Sequence, residues 1–177
     1  MVRKKIKQRL NSLDFAVGRS MRYHAKRRDF FQMLHNVNVW LVAVSGGGTA
    51  LSSFVDNPRL TQILGVIVFL LAAADRTLGF SKKARLHAEL YGQFSVLAAK
   101  IIQVRTPTDK QLRALAVVRT NIERKEPSAL VVLNIMCRNE EALARGAPQY
   151  IVPLRFHQRA LAQLVSLPPR SWESHRR

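Results

Sequence analysis

From Phe30 to Val55 the chain carries no Asp, Glu, Lys or Arg, and after four residues it is uncharged again from Leu60 to Ala74. Few folds accommodate two such runs so close together. Residues 37–55 (VNVWLVAVSGGGTALSSFV) are 19 mostly apolar or small side chains, the length that crosses hydrocarbon at about 1.5 Å of rise per residue. Residues 60–74 (LTQILGVIVFLLAAA) number only 15, a length at which a buried soluble helix competes. Carried through Asp75 and Arg76 to Phe80, the second run reaches about 30 Å of helix, with Arg76 able to reach outward to an interface.

Between the runs, Asp56-Asn57-Pro58-Arg59 reads as a turn, because Pro58 disfavours helix at Asn57 and pre-sets the backbone for a new helix start. The expectation is a tight antiparallel transmembrane hairpin over residues 37–80. Ten Lys and Arg precede residue 37, Arg59 alone lies in the turn, and 17 follow Phe80. Basic residues are retained on the cytoplasmic side, so both termini are expected there and the protein is expected in a cell membrane as a multi-pass chain. Residues 1–36 are too long and too charged for the leading region of a secretory signal.

Hydrophobic residues make up 47% of the chain while Lys and Arg outnumber Asp and Glu 29 to 11. Such a chain calls for an anionic counterpart, either nucleic acid or the anionic inner leaflet, the latter worth about 1 kcal/mol per basic residue close to it. The two apolar runs favour the bilayer and make nucleic acid the weaker reading. The lone Cys137 cannot form an intramolecular disulfide and belongs to no zinc-like spacing.

The flanking regions read as helical, for an all-α chain. Leu10, Leu13, Val17, Met21 and Ala25 recur at helical spacing in a basic, amphipathic N-terminal helix, with Gly18 weakening its continuity. Residues 81–104 continue the second run without a breaker, with Leu86, Leu90, Phe94, Leu97 and Ile101 on one stripe, as one long rod. Pro107 ends it. Thr108 and Gln111 resemble a capping box for a helix to about Lys125, Ser128 opens another through Ala144, and Gly146 closes that one. A shorter apolar segment follows from Pro153, making residues 81–167 a cytoplasmic helical bundle and 168–177 a loose tail.

Catalytic and cofactor signatures are not apparent. Gly46, Gly47 and Gly48 lack the following Lys of a phosphate loop and suit close helix packing instead, while Ser45, Thr49, Ser52 and Ser53 fall on about one face. That face is either a pore lining or a packing surface. Asp75 is an ionisable group in an apolar run, and Arg76 is its nearest candidate partner. The histidines are scattered, and Glu140 and Glu141 point to different sides of a helix. Neither set offers a metal site or an acid/base pair, so no cofactor and no enzyme activity is expected.

Four segments carry a family likeness. Tyr23-His24, Lys26-Arg27-Arg28 and Phe30-Phe31 precede the first run; Gly79-Phe80-Ser81-Lys82-Lys83-Ala84-Arg85 with His87, Leu90 and Tyr91 follows the second. Cys137-Arg138-Asn139-Glu140 and Val152-Pro153-Leu154 with Gln158, Arg159 and Leu161 complete the set. Together they resemble the SLATT family, two-transmembrane effector domains associated with bacterial nucleotide-signalling conflict systems. The family pattern has His where Arg138 stands, so no role is carried to that position.

The resemblance implies a homo-oligomeric inner-membrane effector of antiphage defence that forms a pore or disrupts the membrane when a sensor or nucleotidyltransferase partner signals. It also implies structural or gating roles for Tyr23, His24, Arg27, Phe30, Phe31, Asp75, Arg85, His87, Cys137, Asn139 and Glu140. The alternatives are a membrane scaffold without a pore, which the lack of a charge ring in the spans favours, and a soluble basic nucleic-acid binder.

Overall fold

The computed structural model describes residues 2–54, 58–104 and 106–166, with the side chains at 2, 3, 45, 46, 48–54, 60, 74 and 75 outside the description. The described chain is all-helical: α1 (Val2–Phe54), α2 (Pro58–Leu78), α3 (Phe80–Gln103), α4 (Asp109–Glu123), α5 (Val131–Ala144), a 3-10 turn (Pro148–Tyr150) and α6 (Phe156–Leu161). It divides into two compact units, one of Met1–Arg27 with His87–Arg177 and one of Arg28–Leu86. The units are cut by packing, whereas the segments expected from sequence were cut by charge.

In the first unit, apolar stripes meet in a core. α3 presents Leu90, Phe94, Leu97 and Ile101, the expected stripe less the half-buried Leu86, and all four are buried. α4 adds Leu112, Leu115 and Ile122, and α5 adds Val132, Leu133, Cys137 and Ala142. On α1 the buried line is Leu13, Val17, Ser20 and His24, so it turns polar where Met21 and Ala25 were expected. The spacing is still that of one helix face.

Local signals set the helix ends. The Thr108 hydroxyl accepts from the Gln111 N–H at 3.2 Å and the Gln111 side chain accepts from the Thr108 N–H at 2.9 Å, the reciprocal capping expected. Gly146 adopts φ +67, which lets its N–H reach Leu143 O and the Ala147 N–H reach Ala142 O, both at 2.9 Å; this closes α5 as a Schellman motif. α5 starts at Val131 and not at Ser128. The reason is tertiary: the Leu130 N–H donates to the Tyr23 hydroxyl of α1 at 3.0 Å, holding Leu130 extended as the cap.

Gly18 does not interrupt α1. A Cβ there would collide with the Glu141 carboxylate, so the missing side chain makes room for an acid arriving from α5. The expected rod through residues 60–104 is interrupted by one residue, Gly79, at φ +62 between α2 and α3. Its left-handed backbone ends α2, and its carbonyl accepts from the Lys83 N–H at 3.0 Å to open α3.

The second unit is built differently. Phe31 packs edge-on with Phe30 at 5.5 Å, and the Lys83 ammonium lies 5.6 Å from the Phe31 ring centre. The chain leaves this point along α1 and returns to it along α2 and the start of α3. Beyond it the apolar side chains face outward: Val37, Val39, Trp40, Leu41 and Val44 on α1, and Ile63, Val66, Ile67, Phe69 and Leu70 on α2 are all exposed. On α2 those residues fall on one broad face, and the half-buried Leu64, Val68 and Leu71 lie on another, so apolar side chains occupy more than one side of the helix. Among the described residues, one helical run, Thr61–Gln103 counted across Gly79, is long and apolar enough to cross a membrane, and none of its most apolar 18-residue window is buried.

Candidate functional site

The first unit buries a polar cluster that no local spacing announces. His24 of α1 and His87 of α3 stand 63 positions apart in sequence, yet their Nδ1 atoms lie 2.9 Å apart. A contact that short between two ring nitrogens requires one ring to donate and the other to accept. On its far side, His24 Nε2 lies 3.1 Å from Glu126 Oε1 in the turn after α4. Since a carboxylate only accepts, Nε2 is the donor there, and in the neutral pair His24 Nδ1 accepts from His87.

Aromatic packing keeps water from the pair. Phe94 stacks on His24 with ring centres 5.6 Å apart, and Tyr23 meets both imidazoles edge-on. His24 is 0% exposed and His87 2%. Burial, followed by the neighbouring His24 and Arg27, pushes the His87 pKa down to about 4, so His87 is neutral at pH 7.

Around this pair, further cross-helix ties follow the same logic. Arg27 Nη1 donates to the Gln163 backbone oxygen at 2.7 Å and to its side-chain oxygen at 3.2 Å, anchoring the residues after α6 to α1. Asn139 donates to Val152 O at 2.7 Å and accepts from Val152 N at 2.9 Å, which fastens the extended 151–155 segment to α5. Asn139, Glu140, Pro153 and Arg159 then line a hollow of about 310 Å³, bringing two segments of the family likeness together. Glu140 pairs with Lys26 at 3.0 Å.

Glu141 takes the Arg22 guanidinium at 2.7 Å and that of Arg145 at 2.7 Å. Burial alone would raise its pKa, but the hydrogen bonds from Arg22 and Arg145 outweigh burial and hold it low. Cys137 is fully buried, and burial, with Glu140 adding to it, pushes its thiol up to about 12. It is a packed apolar group at neutral pH, not an activated nucleophile. No group of three or more His, Cys, Asp or Glu placed to hold a metal ion occurs among the described residues.

The sequence-derived candidates therefore separate. Tyr23, His24, Arg27, His87, Cys137, Asn139 and Glu140 gather in the first unit as interhelical ties and core. Phe30 and Phe31 pack in the second unit, where Arg85 is exposed. Gly47 has nothing within 4 Å of where a Cβ would stand. The side chains of Ser45, Gly46, Thr49, Ser52, Ser53 and Asp75 lie outside the described residues, as does most of the Asp56–Asn57–Pro58 turn.

Sequence reasoning missed Glu126, Glu141, Arg22 and Gln163. Gly18 and Arg22, one turn apart on α1, carried a signal: a gap beside a cation suits an incoming acid. Glu126 and Gln163 sit at helix ends with no periodicity to mark them. Compared with protein-family models, with curated proteins and with solved structures, the chain matches none.

Proposed function

We propose that this chain is a membrane protein whose Arg28–Leu86 unit spans the bilayer as a two-helix hairpin, with the helical first unit and both termini on the cytoplasmic side. The observation that carries the reading is the outward apolar surface of the second unit. The core helix of a soluble protein hides its side chains, and a helix with none of its apolar window buried leaves that surface to water unless lipid covers it. With about 25 cal/mol gained per Å² removed from water, exposed residues such as Phe69 and Trp40 favour insertion. The charge distribution sets the orientation, since only Arg59 is basic in the connection between the two spans.

The functional reading adds the likeness of the four motif segments to the SLATT family. It is a non-catalytic effector of a bacterial conflict system that self-associates in the inner membrane, and forms a pore or otherwise breaches the bilayer when a partner sensor or a nucleotide signal reaches the first unit. The ties at Arg27, Asn139 and Glu141 suit a unit held in one packing until such a signal arrives.

A second reading, a scaffold without a pore, is favoured by exposed aromatic side chains on the first unit, Phe156 at 87% and Tyr150 at 63%, which suit a docking partner. Ion flux separates the two. Purified protein reconstituted in liposomes with anionic lipid is expected to release a trapped ion once activated by the partner. Intact liposomes under conditions where partner binding is demonstrated would leave the scaffold reading in its place.

A further inference from the structure

We infer that the buried His24–His87 contact is an acid-released latch: the first unit stays closed while a single proton lies between the two Nδ1 atoms, and opens when both rings are protonated. The geometry carries the argument. At 2.9 Å the pair accommodates one N–H and one lone pair. A first added proton leaves the contact intact, because one ring can carry two N–H groups while the other keeps the Nδ1 lone pair that accepts. A second proton, taken from solvent by His87, puts hydrogens on both Nδ1 atoms. No lone pair then remains between them, the hydrogen bond breaks, and two cations face each other away from water.

The groups around the pair work in the same direction. Tyr23 from α1 contributes ring edges to both imidazoles, and Phe94 from α3 stacks on one of them; neither supplies a negative charge. Arg27 on α1 disfavours a further cation at His87. Glu126, on the His24 side of the pair, carries a single negative charge. Cys137 of α5 acts on Tyr23, and its raised pKa keeps it neutral at acid pH.

The latch joins the two helices by which the units are connected in sequence. His24 lies three residues before α1 leaves the first unit after Arg27, and His87 is the residue at which the chain re-enters it. This inference concerns the first unit alone and stands whether or not the second lies in lipid.

The sign follows from the folded-state pKa. His87 is held below its ordinary value of 6.5, so the open state binds more protons as pH falls below that value. Closure is therefore complete at neutral pH and is lost as pH drops from 6.5 toward 4. The single thiol supplies the readout, because Cys137 is fully buried when the unit is closed. Full-length protein in detergent is labelled with 4,4′-dithiodipyridine, which reacts at acid pH, and each rate is divided by that of denatured protein at the same pH.

Protection of Cys137 is expected to fall about 30-fold between neutral pH and pH 5. His87→Asn, which keeps a donor and cannot titrate, is expected to flatten that fall to within about threefold. Should that variant fail to fold, nitrogen-15 spectra of the native histidine rings decide. One ring of the pair is expected to stay neutral at pH 5. Protection that is flat in the native protein, an equal fall in His87→Asn, or both rings of the pair already charged at pH 5 would each overturn the latch.

Discussion

The two units contain the same kinds of apolar residue and use them in opposite ways. In the first, Phe94, Leu90 and Leu97 are at most 1% exposed, and polar groups share the interior in paired form: His24 with His87, Glu141 with Arg22 and Arg145. In the second, Phe69 is 71% exposed and so is Trp40. Water makes the first arrangement stable, because apolar area is removed from it and the buried His24, His87 and Glu141 find partners. The second arrangement makes sense in a solvent that is itself apolar, where a helix satisfies its own backbone and its side chains need no core. Lipid around the second unit would reconcile the two arrangements in one chain.

The largest expected effect comes from placing charge in the second unit. Val66→Arg with Leu70→Arg should cost about 6 kcal/mol of insertion, roughly 3 per residue at mid-bilayer. It should shift the protein out of the membrane pellet in a fractionation assay. Val96→Arg, at a position of similar exposure in the first unit, should leave the partition unchanged. Equal behaviour of the two substitutions would erase the difference between the units.

Core truncation should show the reverse pattern. Phe94→Ala removes a fully buried ring that also covers His24, and should destabilise the first unit by about 3–5 kcal/mol, read as thermal unfolding in detergent. Phe69→Ala should change that transition by less than about 0.5 kcal/mol.

A smaller effect tests the seat of Glu141. Gly18→Ala puts a methyl group where the carboxylate sits, and should cost about 2 kcal/mol because Arg22 and Arg145 keep the acid from moving away. Glu141→Ala should cost about 2 kcal/mol by taking the acid from Arg22 and leaving Arg145 with Asp14 alone. In the double variant the clash is gone, so the sum should exceed the measured loss by about 1 kcal/mol or more in a double-mutant cycle. Strict additivity would show that the two positions do not meet.

Gly47→Leu should have the least effect on the folded chain, within about 0.5 kcal/mol, since open space surrounds that position. Any effect should fall on association between copies, measured by crosslinking in membranes. A loss of thermal stability without a loss of crosslinking would place the glycine in packing within one chain.

Features set by neighbours in sequence were legible in advance, and features set by distant partners were not. The Thr108 and Gln111 cap, the stop at Gly146 and the α3 stripe follow from spacing within one or two turns, and the structure has each of them. The break at Gly79 was hidden because helical, apolar patterning continues on both sides of it. The start of α5 was displaced because Tyr23, 107 positions away, takes the Leu130 N–H. His24 and His87 each stood alone in sequence. Periodicity predicted Met21 and Ala25 on the buried line of α1, whereas Ser20 and His24 occupy it; His24 is accommodated because a second imidazole and Glu126 complete its hydrogen bonding.

Membrane extraction of the intact chain tests the contrast between the units most directly. Cells expressing it are lysed, the membranes are washed in alkaline carbonate and in high salt, and the chain is followed through each step. Protein held by lipid around the second unit is expected to stay in the pellet through both washes and to leave it only with detergent. Release as a folded, detergent-free species by either wash would mean that the exposed apolar side chains of α1 and α2 are covered by something other than the bilayer.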